Sequence, residues 1–183
     1  MRILKSLVAA LAVASFGTAA FAAEAAAPAA GNSLVIELKT GKVVIKLRPD
    51  LAPKHVERVK TLAGQGFYNG IKWHRVIEGF MAQTGDPTGT GMSGSKLPDL
   101  PAEFTKEPFK RGTIGAARTQ DPNSANSQFF ICFSDSGCGP LTGQYTVWGN
   151  VVSGMEFVDK IKRGAGGSGM VTDPDVMVKV SVQ

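Results

Sequence analysis

The sequence has few of the side chains that bind metals or act as nucleophiles. Its 183 residues include two histidines, His55 and His74, and two cysteines, Cys132 and Cys138. None of these four residues has the spacing of zinc ligands. The glycines form neither a phosphate-binding loop nor a dinucleotide fingerprint, and no nucleophile-elbow motif is present. We therefore expect no metal site and no dinucleotide-binding site.

A strong excess of charge of one sign is also missing. The net charge is +5, and two of the positive charges, Arg2 and Lys5, lie close to the N-terminus. Three other cations are clustered, Lys160, Lys162 and Arg163, but they end a predicted helix, where positive charge complements the helix dipole. Because there is no basic stripe, nucleic acid is not expected as a partner.

Residues 1–22 are typical of a secretory signal peptide. Arg2 and Lys5 precede a mostly apolar run, and small residues surround a cleavage position after Ala22. The alternative is a membrane anchor, but the run is short for a membrane span and no polar anchor follows it. We expect cleavage near Ala22, export, and no membrane association afterwards. The alanine-rich residues 23–32 are expected to be flexible, and one domain is expected over residues 33–183.

The two cysteines leave two possibilities open. Export would place them where disulfides persist, and Cys138 could fold back over Cys132. Alternatively they are two thiols, with Cys132 a small buried apolar residue on a strand. Spacing in the sequence does not establish the geometry that a bridge requires, and of the two possibilities we expect free thiols.

Alternating apolar residues predict short strands. Residues 34–38 and 43–47 alternate on either side of Thr40-Gly41-Lys42, which is the pattern of a β-hairpin. Residues 53–64 and 155–163 have helical spacing instead, and His55 is expected on the exposed side of the first helix. Further strands are predicted at residues 71–77, directly after Gly79, and at residues 113–117, 128–133, 145–148 and 176–182.

About eight short strands and two helices favour a mainly β fold. Two architectures fit this pattern, a sandwich and a closed barrel. Pairing the first strand with the last would close a barrel and remove exposed sheet edges, and the two helices would then cap its open ends. Large apolar residues such as Ile114, Phe129 and Ile131 would fill it, which argues against a barrel that carries an apolar ligand. Residues 86–111 form a long loop of the kind that is usually functional or partly disordered.

One segment places two polar side chains among apolar ones. In an extended chain, Arg75, Met81 and Gln83 lie on the same face. A core strand does not bury a guanidinium and an amide, so this face is typical of a small-ligand pocket. His74 would point to the opposite side and is expected to be structural.

A catalytic triad could be composed of Ser127, His74 and Asp86. Any chain of this length offers such a trio by chance, and we do not expect this one to be functional. Gln128 and Phe130 repeat the mixture of amide and apolar side chains seen around Gln83.

Two motifs resemble a known family. The first reads Trp73-His74-Arg75-Val76-Ile77-Glu78-Gly79-Phe80-Met81-Ala82-Gln83-Thr84-Gly85-Asp86 and closely resembles the cyclophilin signature. The second, Ser127-Gln128-Phe129-Phe130-Ile131, resembles that family's other hallmark. The resemblance runs from about Leu34 to the C-terminus. It implies a closed eight-stranded antiparallel β-barrel capped by two α-helices, and a peptidyl-prolyl cis-trans isomerase that needs no cofactor.

The resemblance also implies roles for particular residues. Arg75 would be the catalytic group, Gln83 would bind the substrate backbone, and Tyr145 stands where many members have histidine. Phe80, Met81, Phe130 and Leu141 would form the pocket for the proline ring. The full set implied in substrate binding is Phe80, Met81, Gln83, Ala117, Arg118, Gln128, Phe130, Leu141 and Tyr145.

The implied substrates are unfolded or flexible polypeptides that contain proline, and the enzyme is expected to be a monomer. Together with the predicted signal peptide, the resemblance implies a bacterial, periplasmic member of the family. The alternative is a chaperone or scaffold that binds proline-containing chains without catalysing their isomerisation.

Overall fold

The computed structural model describes residues 31–183, so the predicted signal peptide and residues 23–30 lie outside the described part. Within that part, no helix has the length and apolar composition needed to cross a membrane. The strands are β1 Ser33–Leu38, β2 Gly41–Leu47, β3 Arg75–Ile77, β4 Met81–Thr84, β5 Thr113–Ala116, β6 Phe129–Cys132, β7 Val147–Ser153 and β8 Lys179–Val182. The helices are α1 Pro53–Gly64, α2 Asp135–Cys138, the 3₁₀ turn Gly139–Leu141 and α3 Met155–Val158.

The eight strands form one antiparallel sheet in the order β3-β4-β6-β5-β7-β2-β1-β8. This confirms the mainly β class, the strand number and the predicted pairing of the first strand with the last.

The sheet is a curled, open half-barrel, whereas a fully closed barrel was predicted. Strands β3 and β8 are its edges, and isolated bridges join Lys72 to Val176 and Arg75 to Met170 across the gap. The reason lies in a glycine-rich segment that follows α3. It occupies the free edge of β3, because Val76 donates to the Gly169 carbonyl and accepts from the Gly164 amide. No continuous ladder to β8 can form there.

The inside of the curled sheet is filled by side chains. Phe129 is 1% exposed, and its ring meets Trp148 edge-on at 5.3 Å and Trp73 at 6.1 Å. Ile114 and Ile131 are fully buried beside it. Large aromatic and aliphatic side chains therefore fill the inside of the curled sheet.

Helix α1 has the predicted bounds, but its N-terminus is capped from a distance. Ala52 supplies no capping side chain, and the Glu103 carboxylate instead accepts from the backbone amides of Lys54 at 3.2 Å and His55 at 3.1 Å. The same carboxylate lies 2.6 Å from the His55 Nδ1 atom. The prediction of an exposed His55 is therefore wrong: its side chain is 3% exposed because Glu103 gives it a buried partner.

The second predicted helix is shorter than its apolar pattern suggested. Beyond α3 the amide of Lys160 bonds to the Phe157 carbonyl, and that of Ile161 bonds to Val158. These bonds span three residues, so the chain tightens and leaves the α-helix. Ile161 still packs in the core, which explains the longer apolar spacing.

Cys132 and Cys138 form a disulfide with their Cα atoms 6.1 Å apart, so the expectation of free thiols is wrong. Helix α2 makes the bridge possible. Ser134 caps it by accepting from the Gly137 amide at 3.0 Å, which turns the chain back on itself. Cys138, at the end of α2, then faces Cys132, at the end of β6, and both are fully buried.

Candidate active site

A tight hairpin brings together the two polar residues of the first motif. In the pairing of β3 with β4, Arg75 lies opposite Gln83, and Ile77 lies opposite Met81. The turn between the strands contains Gly79 at a φ of 70°, a conformation that favours glycine. The shared face predicted from alternation is real, but it arises from cross-strand pairing rather than from one continuous strand.

A small cavity of about 100 Å³ opens beside this hairpin. We call it the small cavity. It is lined by Arg75, Phe80, Met81, Gln83, Ala117, Arg118, Phe130, Leu141 and Tyr145. These are all of the predicted site residues except Gln128, so residues far apart in the sequence come together in one place.

The floor of the small cavity is rigid and apolar. Phe130 is sandwiched between Phe109, which stacks on it at 5.8 Å, and Tyr145, which meets it edge-on at 5.7 Å. Met81 is 1% exposed beside it. Gly115 permits this close packing, because a Cβ atom there would collide with the Phe130 ring. The cavity thus presents a flat apolar wall to a ligand.

The Arg75 guanidinium stands at the edge of that wall in a fixed orientation. Its Nε donates to the Ser168 carbonyl at 3.0 Å, and its Nη1 donates to Gln83 Oε1 at 3.2 Å. Within residues 31–183, Nη2 makes no hydrogen bond. One edge of the cation is held by the protein, and both hydrogens of Nη2 are available to a ligand.

Gln83 is in turn held by Gln128. The Gln83 Nε2 donates to Gln128 Oε1 at 2.9 Å, and Gln128 Nε2 donates to the carbonyls of Gly91 at 3.0 Å and Ser93 at 2.7 Å. Because arginine has only donors, Gln83 must turn its oxygen toward Arg75. Each amide in the chain of hydrogen bonds therefore has a single orientation.

Gln128 lies on a second cavity of about 500 Å³, the large cavity, rather than on the small one. The two cavities share Gln83, Ala117 and Arg118. The rest of the large cavity is lined by Gly91, Met92, Ser93, Gly94, Ser95, Asp99, Thr119, Ser124, Asn126 and Gln128. Sequence reasoning missed it, although the long glycine- and serine-rich loop at residues 86–111 was the available signal.

Asp86 holds this loop in place. Its buried carboxylate accepts from the Gly91 amide at 2.6 Å, from the Ser93 amide at 3.2 Å, and from both the amide and the hydroxyl of Thr88 and Thr90. Burial alone would raise the pKa of Asp86, but the hydrogen bonds from Thr88, Ser93 and Gly91 outweigh it and hold that pKa at about 2. This one carboxylate therefore fixes the first part of the loop, residues 88–93.

Ser127, His74 and Asp86 do not form a catalytic triad. The Ser127 hydroxyl donates to the Gly85 carbonyl at 2.7 Å, and the ring nitrogens of His74 are hydrogen-bonded to neither Ser127 nor Asp86. Burial lowers the pKa of His74, an effect that Asp86 partly opposes. His74 is 2% exposed and packs behind the site, as predicted.

Leu141 reaches the small cavity from the segment that the disulfide anchors. Cys138 ends α2, and the 3₁₀ turn Gly139–Leu141 follows at once. Both cysteines pack with Met81, Phe130 and Leu141 in one apolar cluster. The bridge to β6 therefore ties one wall of the cavity to its floor.

Comparison with known proteins agrees with this geometry. Residues 33–182 match the family described as cyclophilin type peptidyl-prolyl cis-trans isomerase/CLD. A probable peptidyl-prolyl cis-trans isomerase from Brucella suis biovar 1 is 53% identical over 189 residues, covering 95% of each chain. A peptidyl-prolyl cis-trans isomerase from Helicobacter pylori is 41% identical, covering 70% of this chain and 79% of its own.

Solved structures of similar proteins have the same fold. A cyclophilin-type isomerase from Cryptosporidium parvum, crystallised in the presence of the dipeptide Ala-Pro, superposes with a TM-score of 0.75 at 27% identity, covering 82% of this chain and 98% of its own. The cyclophilin AquaCyp293 from Hirschia baltica gives a TM-score of 0.73 at 26% identity, covering 83% and 74%. The chain therefore belongs to the family of cyclophilin-type peptidyl-prolyl cis-trans isomerases and is an isomerase.

Proposed function

We propose that the enzyme catalyses isomerisation without forming a covalent bond, by stabilising the twisted Xaa-Pro amide with Arg75. Rotation about an amide bond costs about 18–20 kcal/mol because it interrupts resonance. At the top of this barrier the prolyl nitrogen is pyramidal and regains its lone pair. A cation that donates toward that nitrogen or the nearby carbonyl stabilises the twisted state more than either planar state, which lowers the barrier.

The observation that carries this proposal is the placement of Arg75 at the edge of an apolar cavity. Its Nε and Nη1 are bound to Ser168 and Gln83, so little reorganisation is needed when a substrate arrives. We assign the wall of Phe130, Met81 and Leu141 to the proline ring. A ring held there displaces water, which strengthens the contact with Arg75.

Gln83 and the large cavity are placed to bind the substrate residues that neighbour the proline. The large cavity shares the lining residues Gln83, Ala117 and Arg118 with the small one. Its volume of about 500 Å³ is of the size that binds small ligands. We assign it to a residue near the proline, with Gln83 binding the substrate backbone.

We further propose that the enzyme acts as a monomer in the periplasm, on proline-containing segments of unfolded exported proteins. The leader-like residues 1–22 support export. A buried disulfide between Cys132 and Cys138 supports an oxidising compartment, since such bonds are rare in the cytosol.

An isomerisation assay on a short Ala-Pro peptide tests the role of Arg75. The Arg75→Ala variant should lose about 100-fold in kcat/KM, the usual loss when a donor to a transition state is removed, while its circular dichroism remains native. Arg48→Ala is a matched control, because Arg48 pairs with Asp50 and Glu107 away from both cavities. Equal activity of Arg75→Ala and Arg48→Ala would overturn the mechanism.

A further inference from the structure

Arg118 lies where the two cavities meet, and its side chain lines both. Together with Arg75 it gives the small cavity two cations, and none of the described residues that line this cavity is acidic. The large cavity adds one acidic residue, Asp99. The junction is therefore positively charged, a condition that attracts anionic ligands.

The Arg118 guanidinium is held in a fixed position. Nε and Nη2 donate to the Gln144 carbonyl at 3.3 and 3.0 Å, and Nη1 donates to the Thr119 carbonyl at 2.8 Å. The cation also lies 4.6 Å from the centre of the Tyr145 ring, within the range of a cation–π contact. A cation ordered in advance loses little entropy when it binds a ligand.

The charge of Arg118 is not neutralised by the protein. Its partners are carbonyl oxygens, and among residues 31–183 no carboxylate lies within 4.0 Å of it. Asp121, three residues on, accepts from the Asn123 amide at 2.8 Å, and Asp99 accepts from the Asn126 side chain at 2.8 Å. Both nearby acids are thus engaged elsewhere, and Nη2 of Arg118 retains a second hydrogen to donate.

We propose that Arg118 selects substrates that carry an acidic side chain within three residues of the isomerising proline. This rests on the proposed function, which places the proline in the small cavity. A carboxylate entering the junction would form a charge-assisted hydrogen bond with Nη2. The partner chemistry is an acidic, proline-containing polypeptide segment.

Matched peptides test the proposal. Each pair differs only by Glu or Gln at one position within three residues of the proline, on either side, and isomerisation is followed by NMR exchange so that no coupling protease adds its own preference. At low ionic strength we expect kcat/KM for the Glu peptide to exceed that for the Gln peptide about fivefold in at least one pair, a size typical of partly exposed charge pairs. At 1 M salt the ratio should approach one.

Charge variants identify the residue responsible. Arg118→Gln should bring the ratio of kcat/KM for the Glu peptide to that for the Gln peptide to about one. Arg118→Glu should bring this ratio below one. Arg118→Lys keeps the charge without the planar fork and should retain part of the preference. Lys179→Gln removes the same charge from an exposed position on β8, outside both cavities, and should leave the ratio unchanged.

Different results would contradict the role of Arg118 and the isomerase function. A wild-type enzyme that isomerises every peptide with ratios near one overturns the role of Arg118 alone, as does a preference that persists in Arg118→Gln. A wild-type protein that accelerates none of the peptides overturns the proposed function itself. Native circular dichroism for each variant excludes misfolding as the cause of a lost preference.

Discussion

Gln83 links the catalytic candidate Arg75 to the rest of the molecule. It accepts from Arg75 and donates to Gln128, which is held by the loop carbonyls of Gly91 and Ser93. The position of the guanidinium therefore depends on a residue that we do not expect to act on the amide itself.

The Gln83→Ala variant should lower kcat/KM about tenfold, less than loss of Arg75, because Ser168 still orients the guanidinium. We expect KM to rise as well, since the proposed donor to the substrate backbone is lost. Steady-state kinetics on an Ala-Pro peptide provide the measurement, with Gln65→Ala, exposed at the end of α1, as the control. A Gln83→Ala enzyme as active as the control would show that the hydrogen-bond chain is dispensable.

The two buried histidines should make the free energy of unfolding depend on pH. Burial lowers the pKa values of His55 and His74, so below their unfolded value of about 6.5 the unfolded chain binds more protons than the folded one. The free energy of unfolding should therefore fall as the pH drops from 7.5 to 5.5, and His74→Phe should reduce this fall. Urea titrations at the two pH values measure it, and equal or greater stability at pH 5.5 would contradict the assignment.

The local sequence pattern predicted the positions of residues whose neighbours lie in the same motif. It did not predict the positions of residues whose partners are distant in the sequence. Arg75 and Gln83 belong to one hairpin, and their proximity could be predicted. His55 was misplaced because Glu103, which buries it, lies 48 residues away. Gln128 was predicted beside Gln83, to which it is hydrogen-bonded, but its place in the large cavity depends on how the loop at Gly91 and Ser93 folds.

At the scale of elements, the disulfide controls one wall of the site. It ties α2 and the 3₁₀ turn Gly139–Leu141 to the end of β6, and Leu141 lines the small cavity. Replacing Cys132 and Cys138 by alanine should cost about 2 kcal/mol of stability, the value expected for a short closed loop. It should also raise KM more than it lowers kcat, because the wall binds rather than reacts.

Urea unfolding and kinetics under non-reducing conditions provide this test, with reduced wild-type protein as the control that should match the double variant. A double variant as stable as oxidised wild type would show that the bridge does not restrain the segment.

Strands and helices were predicted correctly where their apolar residues recur at a regular spacing without interruption. Strands β1 and β2 and helix α1 have regular alternation or helical spacing, and they were predicted within a few residues. Helix α2 was missed, because its four residues are too short to show a helical period, and with it the disulfide. Closure of the barrel was overestimated, because the edge of β3 is taken by Gly164 and Gly169, which carry no strand pattern.

At the scale of the whole molecule, side chains fill the core, and the candidate active site lies at the surface. The interior is closed by Phe129 and Trp148, while both cavities lie along one side of the sheet, where β4 and β6 meet the loop that Asp86 organises. Distant parts of the chain supply this side, so the eight-stranded fold is what assembles the site.

The predicted export has a direct test. Expression of the full chain in a Gram-negative bacterium should yield protein in the periplasmic fraction that begins at Ala23, because the apolar leader is cleaved near Ala22. N-terminal sequencing of that fraction measures it. Protein that retains Met1 and stays in the cytosol or the membrane would contradict the assignment.

The measurement that tests the central claim most directly is NMR exchange on an Ala-Pro peptide at equilibrium, since it reports binding and isomerisation separately. Wild type should bind the peptide and accelerate cis-trans exchange, whereas Arg75→Ala should still shift the peptide resonances but accelerate exchange about 100-fold less. Exchange as fast with Arg75→Ala as with wild type would contradict the claim that the Arg75 guanidinium stabilises the twisted amide.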